Sequence, residues 1–237
     1  MGNALLKLVF DAPLQAYGRD SKWDIRGSAV YPSKSAVIGL IACAMGIERK
    51  NKKIDVLAEK LSVSVRIDRS GKLLTDLQTV NHPVNEAKGC IKKINGMEYH
   101  PLENKVYIQN AIFSVYLFGD FDIVNECYEA LLNPIWPIFL GRKCCIPSRP
   151  VYTNEPIEFN GDIEEFIKND SIESISSVYK KGVDTYFFQY FIEDKEGNIL
   201  SYDNPHSQGQ RFYTGRLLRK GVVSKSIKKE GESYVFE

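Results

Sequence analysis

Two alternating segments, LSVSVRID (Leu61–Asp68) and AIFSVYLF (Ala111–Phe118), carry the period-two pattern of strands, yet residues 69–110 stand between them. Neighbouring strands are usually joined by about two to five residues. A connection of this length is a functional loop, a disordered stretch or an arm with structure of its own. Tyr, Ile and Met are interleaved with Lys in EAKGCIKKINGMEYHP, which predicts an ordered, protruding arm.

The flanking sequence places these two strands in a larger unit. ALLKLVF (Ala4–Phe10) predicts a first strand, and residues 11–32 form a long turn-rich connection. Ser33 can cap a helix over Lys34–Ala44, with Gly46 as its stop. Residues Phe121–Leu132 repeat apolar side chains at helical spacing and end at Asn133-Pro134, and a short strand is expected near Arg149. The order strand, helix, strand, strand, helix, strand predicts an α+β fold of the ferredoxin-like kind, the architecture of RNA-recognition motifs. Further on, Thr185–Glu193 predicts a buried strand that pairs through Asp194–Asn198 with Ile199–Tyr202.

With 43% hydrophobic residues the chain is too apolar to be disordered. Five cysteines, an odd number with no CxxC spacing, argue against a disulfide scaffold or a zinc site and predict a reducing, cytoplasmic setting. The N-terminal apolar run is too short for a signal peptide, and Ala36–Met45 is too short to cross a bilayer, so no membrane association is expected. The formal net charge of +1 excludes a uniformly basic nucleic-acid binder but hides a segmental split. Residues 1–53 carry nine Lys/Arg against four Asp/Glu, residues 155–204 four against twelve, and residues 205–237 seven against three. Two basic ends could fold onto one face that meets a polyanion; scattered solvated charges are the plainer alternative.

Two short motifs carry chemistry. In GSAVYPSKS, the run Ser33-Lys34-Ser35 opens a helix whose amides can meet a phosphate. The nucleotide-binding loop needs Gly directly before its Lys, so an ATPase is not expected, and an ordinary capped helix with a solvated Lys is the competing reading. In LGRKCCIPSRP, Arg142, Lys143 and Arg149 stand together without an acid, and prolines stiffen the turn, which is either a phosphate site or a basic turn. His82, His100 and His206 have no spacing that joins them, and each is expected to be exposed or hydrogen-bonded. No HExxH, GxSxG or paired-carboxylate motif occurs, and neither metal nor cofactor is expected.

The stretch FDAPLQAYG…R…YPSKSAVIGLIACAMGIER (Phe10–Arg49) with FLGRKCCIPSRPVY (Phe139–Tyr152) resembles the fifth Cas protein family of the RAMP superfamily, specifically the CasD-type subunits of type I-E CRISPR Cascade complexes. VRIDR (Val65–Arg69), DLQTVNHP (Asp76–Pro83) and RFYTGR (Arg211–Arg216) match more weakly, in the same order. The resemblance implies a palm, residues 1–68 and 111–237, and an inserted β-thumb, residues 69–110, between its second and third strands. It implies a non-catalytic subunit that binds the 5′ handle of crRNA and caps the backbone filament in antiviral defence. Its partners would be that crRNA, a CasC-type backbone subunit, a CasA-type large subunit and, indirectly, target DNA. Gln15, Tyr17, Arg26, Ser33, Lys34, Ser35, Arg142 and Lys143 are the expected RNA contacts, with His82 and Arg211 beside them. Type I-C relatives cleave precursor RNA, so a metal-independent endoribonuclease is the competing expectation.

Overall fold

The computed structural model describes residues 2–18, 25–79, 84–85, 90–91, 93–94, 97–98, 102–173, 185–207, 213–230 and 233–236. The chain runs β1 (Asn3–Asp11), β2 (Leu14–Gln15), β3 (Ile25–Arg26), α1 (Lys34–Ala44), α2 (Lys53–Lys60), β4 (Leu61–Arg69) and β5 (Lys72–Thr79). Four two-residue strands follow, β6 (Val84–Asn85), β7 (Cys90–Ile91), β8 (Lys93–Ile94) and β9 (Met97–Glu98). Next come β10 (Leu102–Gln109), β11 (Ile112–Asp120), α3 (Phe121–Leu132), β12 (Ile157–Glu158) and α4 (Ile163–Asn169). The chain closes with β13 (Thr185–Glu193), β14 (Ile199–Pro205), β15 (Tyr213–Glu230) and β16 (Ser233–Phe236).

The main sheet has the order β12-β1-β11-β4-β13-β15-β14, with β16 on β15. Its first four strands pair antiparallel, so β1 and β4 are parallel and are joined by α1 and α2. The alternation of β1 explains the layering: Ala4, Leu6, Leu8 and Phe10 face α1 and α3 in the large core, and Leu5 faces the other way. Helix α1 begins where expected, the Ser33 hydroxyl accepting from the Ala36 amide at 3.3 Å. It ends in a Schellman motif: the Gly46 amide donates to Cys43 O, the Ile47 amide to Ala42 O, and Gly46 takes φ +66°.

Between β4 and β11, strands β5 and β10 pair as the two arms of a hairpin, in antiparallel register from Lys72↔Gln109 to Thr79↔Leu102. The other edge of β10 takes β2 and β3, so the hairpin is sewn back onto the loop that follows β1.

Two expectations are corrected. Strands β13 and β14 are not hairpin partners: the long β15 lies between them, Leu218 facing both Glu193 and Ile199. With β4 on its other side, β13 has both edges satisfied, an outcome a local pairing rule cannot foresee. The strand expected near Arg149 is only an isolated bridge, Leu8↔Tyr152, and the edge strand β12 forms instead at Ile157.

The face of the sheet opposite α1 and α3 is closed by α4, which buries Ile167 against Leu5, Tyr116, Tyr190 and Ile192. Beside this cluster lies a buried ionic latch. Arg66, fully buried, donates to Asp68 (2.6 Å) and to the carbonyls of Ile167, Asp170 and Ser171. Ser114 donates to Asp68 and Tyr116 to Asp170. Lys7 pairs with Asp170 and Glu173, and Arg149 with Glu173.

These pairs belong to a wider pattern of ion pairs between the basic and acidic segments among the described residues. Lys34 pairs with Glu193, and Arg216 with Asp203 and Glu193. Lys7, Lys34 and Arg216, from the basic ends of the chain, are therefore taken up by carboxylates of its acidic segment. Burial alone would raise the carboxyls of Glu173 and Asp203, but the cations beside them, Lys7 and Arg149 for the first and Arg216 for the second, hold both below the ordinary carboxylate range.

Arg66→Ala is expected to destabilise the protein by about 3–5 kcal/mol in urea unfolding, because Asp68 is left charged and buried without its partner. A loss below about 1 kcal/mol would show that the latch does not hold the sheet face closed. The depressed carboxyls set an acid limit: their stabilisation is complete above the ordinary values of 4.5 and 3.8 and is lost as pH falls through the lower native ones. Unfolding midpoints across that range are expected to drop, and less steeply in Glu173→Gln.

Candidate nucleic-acid interface

The two segments richest in motif residues, the turn after β1 and the loop at residues 140–145, touch. Gln15 is fully buried. Its amide donates to Ala111 O (2.8 Å) and Phe10 O (3.3 Å), and its oxygen accepts from the Tyr17 hydroxyl (2.5 Å). The Tyr17 ring lies between Phe10 and Phe113, only 1% exposed, and burial pushes its phenol well above the usual value. Neither residue meets RNA in this arrangement. A short polar bracket is needed here because the chain reverses inside the core, and buried carbonyls must find donors.

The turn at Ala16 receives the 140–145 loop: the Ala16 amide donates to Leu140 O (3.1 Å). Gly141 sits at φ +97°, and a Cβ there would run into the Ala16 carbonyl, so only glycine lets the two backbones approach. Arg142 then works as a clamp. Its guanidinium donates to Val106 O (3.0 Å) on β10 and to Arg26 O (2.8 Å) on β3, and lies 4.5 Å from the centre of the Tyr107 ring. Arg26 in turn pairs with Glu103 (2.7 Å), which also takes Lys105 (3.2 Å). Arg142 and Arg26 therefore tie the hairpin to the domain, and Lys143 is the exposed cation of the loop.

The helix start is also occupied from within. The Lys34 amide donates to Asp203 (2.8 Å) and its ammonium to Glu193 (2.9 Å), and the side chain is 3% exposed. Burial lowers the Lys34 pKa, with Glu193 partly opposing it. Ser33 caps the helix and shares a 3.0 Å hydrogen bond with Ser35. The anion expected at this N-terminus is thus the chain's own Asp203, which corrects the reading of Lys34 as a phosphate contact. His206 stands 3.5 Å from Asp55 on α2, whose carboxylate also accepts from the Ser207 amide. His82, His100 and Arg211 lie outside the described residues.

A groove of about 350 Å3 opens between the hairpin and the 140–145 loop. Leu14, Leu74 and Tyr107 supply apolar walls, Thr75, Asp76 and Gln78 polar ones, and Cys144 the side nearest the loop. Asp76, Gln78 and Tyr107 were not anticipated. The signal was present: in KLLTDLQT and LENKVYIQ every second residue shares a face, which puts Leu74, Asp76 and Gln78 with Glu103, Lys105 and Tyr107.

A family model described as CRISPR-associated protein (Cas_Cas5) matches residues 5–218. The CRISPR system Cascade subunit CasD of Escherichia coli (strain K12) is 25% identical over 157 residues, 62% of this chain and 69% of that one. A chain of a solved CRISPR RNA-guided surveillance complex shares the fold at a TM-score of 0.71 and 21% identity, over 93% of this chain and 90% of that one. A solved Cas protein aligns at a TM-score of 0.64 and 26% identity, over 92% and 94% of the two chains.

If the clamp ties the hairpin to the domain, Arg142→Lys is expected to destabilise by about 1–3 kcal/mol, since an ammonium cannot bridge both carbonyls while lying flat on Tyr107. Lys143→Ala is expected to stay within about 0.5 kcal/mol. Thermal melts of the two variants check this, and equal shifts would refute the clamp.

Proposed function

Because the chain belongs to the CRISPR-associated (Cas_Cas5) family, we propose that it is a Cascade-type subunit that holds the 5′ handle of crRNA at the junction of the hairpin and the 140–145 loop. One observation carries this reading. The two segments that resemble the CasD-type pattern meet at Arg142, and there they present an exposed Lys143 beside an open groove. The sheet order β12-β1-β11-β4 is that of a ferredoxin-like palm, and the β5/β10 hairpin is its thumb. RNA-recognition motifs stack bases on the open sheet face, but here α4 covers that face, so binding moves to the thumb side.

In this reading the subunit caps a filament of CasC-type subunits in the cytoplasm. The thumb lies over the guide, a CasA-type large subunit is its other neighbour, and target DNA is met only through the guide. The exposed leucines on the outer face of the thumb, Leu73 and Leu77 at 61% and Leu102 at 56%, suit a protein neighbour. The role is that of a scaffold without catalysis. A metal-independent ribonuclease pairs a histidine with a tyrosine or lysine at the scissile 2′-hydroxyl, whereas His206 is turned to Asp55.

The test is a salt titration of single-stranded handle RNA binding, with a repeat-containing precursor incubated alongside in chelator. The precursor is expected to stay intact. Lys143→Ala is expected to lower the slope of log affinity against log salt by roughly 0.7, one phosphate contact. Site-specific cleavage abolished by His206→Ala or His82→Ala would replace the scaffold with the ribonuclease, and an unchanged slope would remove Lys143 from the interface.

A further inference from the structure

The groove between the hairpin and the loop has a chemistry that backbone binding does not explain. Its wall includes a carboxylate, Asp76, which repels a phosphate that comes close. Asp76 and Gln78 are half-buried while the leucines around them, Leu73 and Leu77, are exposed, the inverse of an ordinary solvent-facing strand. Both polar groups are also held in place. The Lys105 ammonium donates to the Gln78 oxygen at 2.5 Å, which fixes the amide so that its NH2 faces Asp76 and donates there at 2.5 Å. A carboxylate has about four acceptor sites, so Asp76 keeps capacity for further donors. Leu14, Leu74 and the small exposed part of Tyr107 line it with apolar surface, and about 350 Å3 sits at the small end of the range of about 300–1,000 Å3 for small-ligand sites.

We propose that this groove receives one unstacked nucleobase of the bound RNA, with Asp76 as the acceptor that reads its edge. The inference rests on the RNA-binding reading above and adds to it a base-specific subsite. The phosphates pass outside the groove by Lys143, and Asp76 keeps them there. Donor count sets the order of preference. Guanine offers an N–H and an amino group side by side, which suits a carboxylate held in one position. Adenine and cytosine each offer one amino group, and uracil offers an N–H between two carbonyls that face the carboxylate unfavourably.

The experiment binds a short single-stranded RNA pool of randomised sequence to the full chain and sequences the bound fraction. An abasic nucleotide is then walked along the preferred RNA. One position is expected to favour guanine, and its abasic form is expected to bind on the order of tenfold more weakly, the scale of one lost stacking contact. Leu74→Trp, which fills the groove, is expected to weaken intact RNA by a similar factor and to leave the abasic RNA unaffected. Asp76→Asn is expected to flatten the base preference at that position alone. The native chain supplies a second readout, because Cys144 is exposed at the groove wall. Its alkylation by iodoacetamide, followed by peptide mass, is expected to slow with intact RNA and not with the abasic RNA.

Salt-dependent binding with no position sensitive to base removal, or with Cys144 unprotected, would overturn the subsite and leave the RNA-binding reading standing. Absence of any single-stranded RNA binding at low salt would overturn both. If Leu74→Trp fails to fold, Cys144 protection in the native chain decides the matter.

Discussion

Arg66 is the charge around which the sheet is organised. A guanidinium with no exposed surface is tolerable only when every donor finds an acceptor, and Arg66 finds them in Asp68 and in three carbonyls of the segment that leaves α4. Burial alone would lower its pKa, but Asp68 and its neighbours more than reverse that and keep it charged. Satisfying the arginine therefore pins residues 167–171 across the sheet, and pinning them closes the face on which a related fold would stack bases. In the proposed function, binding therefore moves off that face. The groove lies elsewhere, where a hairpin inserted between β4 and β11 is sewn to the first loop.

The sewing itself shows how a family motif can be structural. Gln15, Tyr17, Gly141 and Arg142 look like a binding constellation when read along the chain, since a glutamine, an aromatic and an arginine are what RNA sites are made of. In the folded chain they satisfy carbonyls and fill the core, and so set where the hairpin stands. Any effect they have on a ligand is through position: if the clamp fails, the groove between the hairpin and the loop loses one wall. Lys143, next to the clamp, is exposed, and under the proposed function the direct contact falls to it.

Legibility tracked the range of the forces involved. The helices α1 and α3 could be read to within a residue because their caps, Ser33 and Asp120, and their stops are local. The strands β1, β4 and β11 announced themselves through alternation. The short α2 and α4 were missed, as was β15, because each is specified by what it packs against more than by its own pattern. The pairing of β13 and β14 failed for the same reason: a chain-local rule joins neighbours, but the sheet joined each of them to β15. The site was half legible. Chemistry-bearing residue types were found, but whether an arginine faces solvent or a backbone carbonyl is a long-range fact. Glu103 and Val106 lie far from Arg26 and Arg142 in sequence, and no spacing connects them.

The charge segregation has the same lesson and a further consequence. The acidic stretch after residue 154 works as internal counter-charge: Glu193, Asp203, Asp170 and Glu173 take up Lys34, Arg216, Lys7 and Arg149. Ion pairs partly or wholly out of water are not available to phosphates, since releasing a buried cation would strand its partner. A polyanion therefore meets the exposed cations instead, Arg49, Lys50, Lys52, Lys72 and Lys143 among the described residues, and any counterion release comes from these and not from the paired ones. With the paired cations out of reach, discrimination between polyanions falls to geometry, to where the exposed charges stand relative to one another. Under the proposed function the position of the clamp, which sets where Lys143 stands, therefore matters more than the number of charges on the chain.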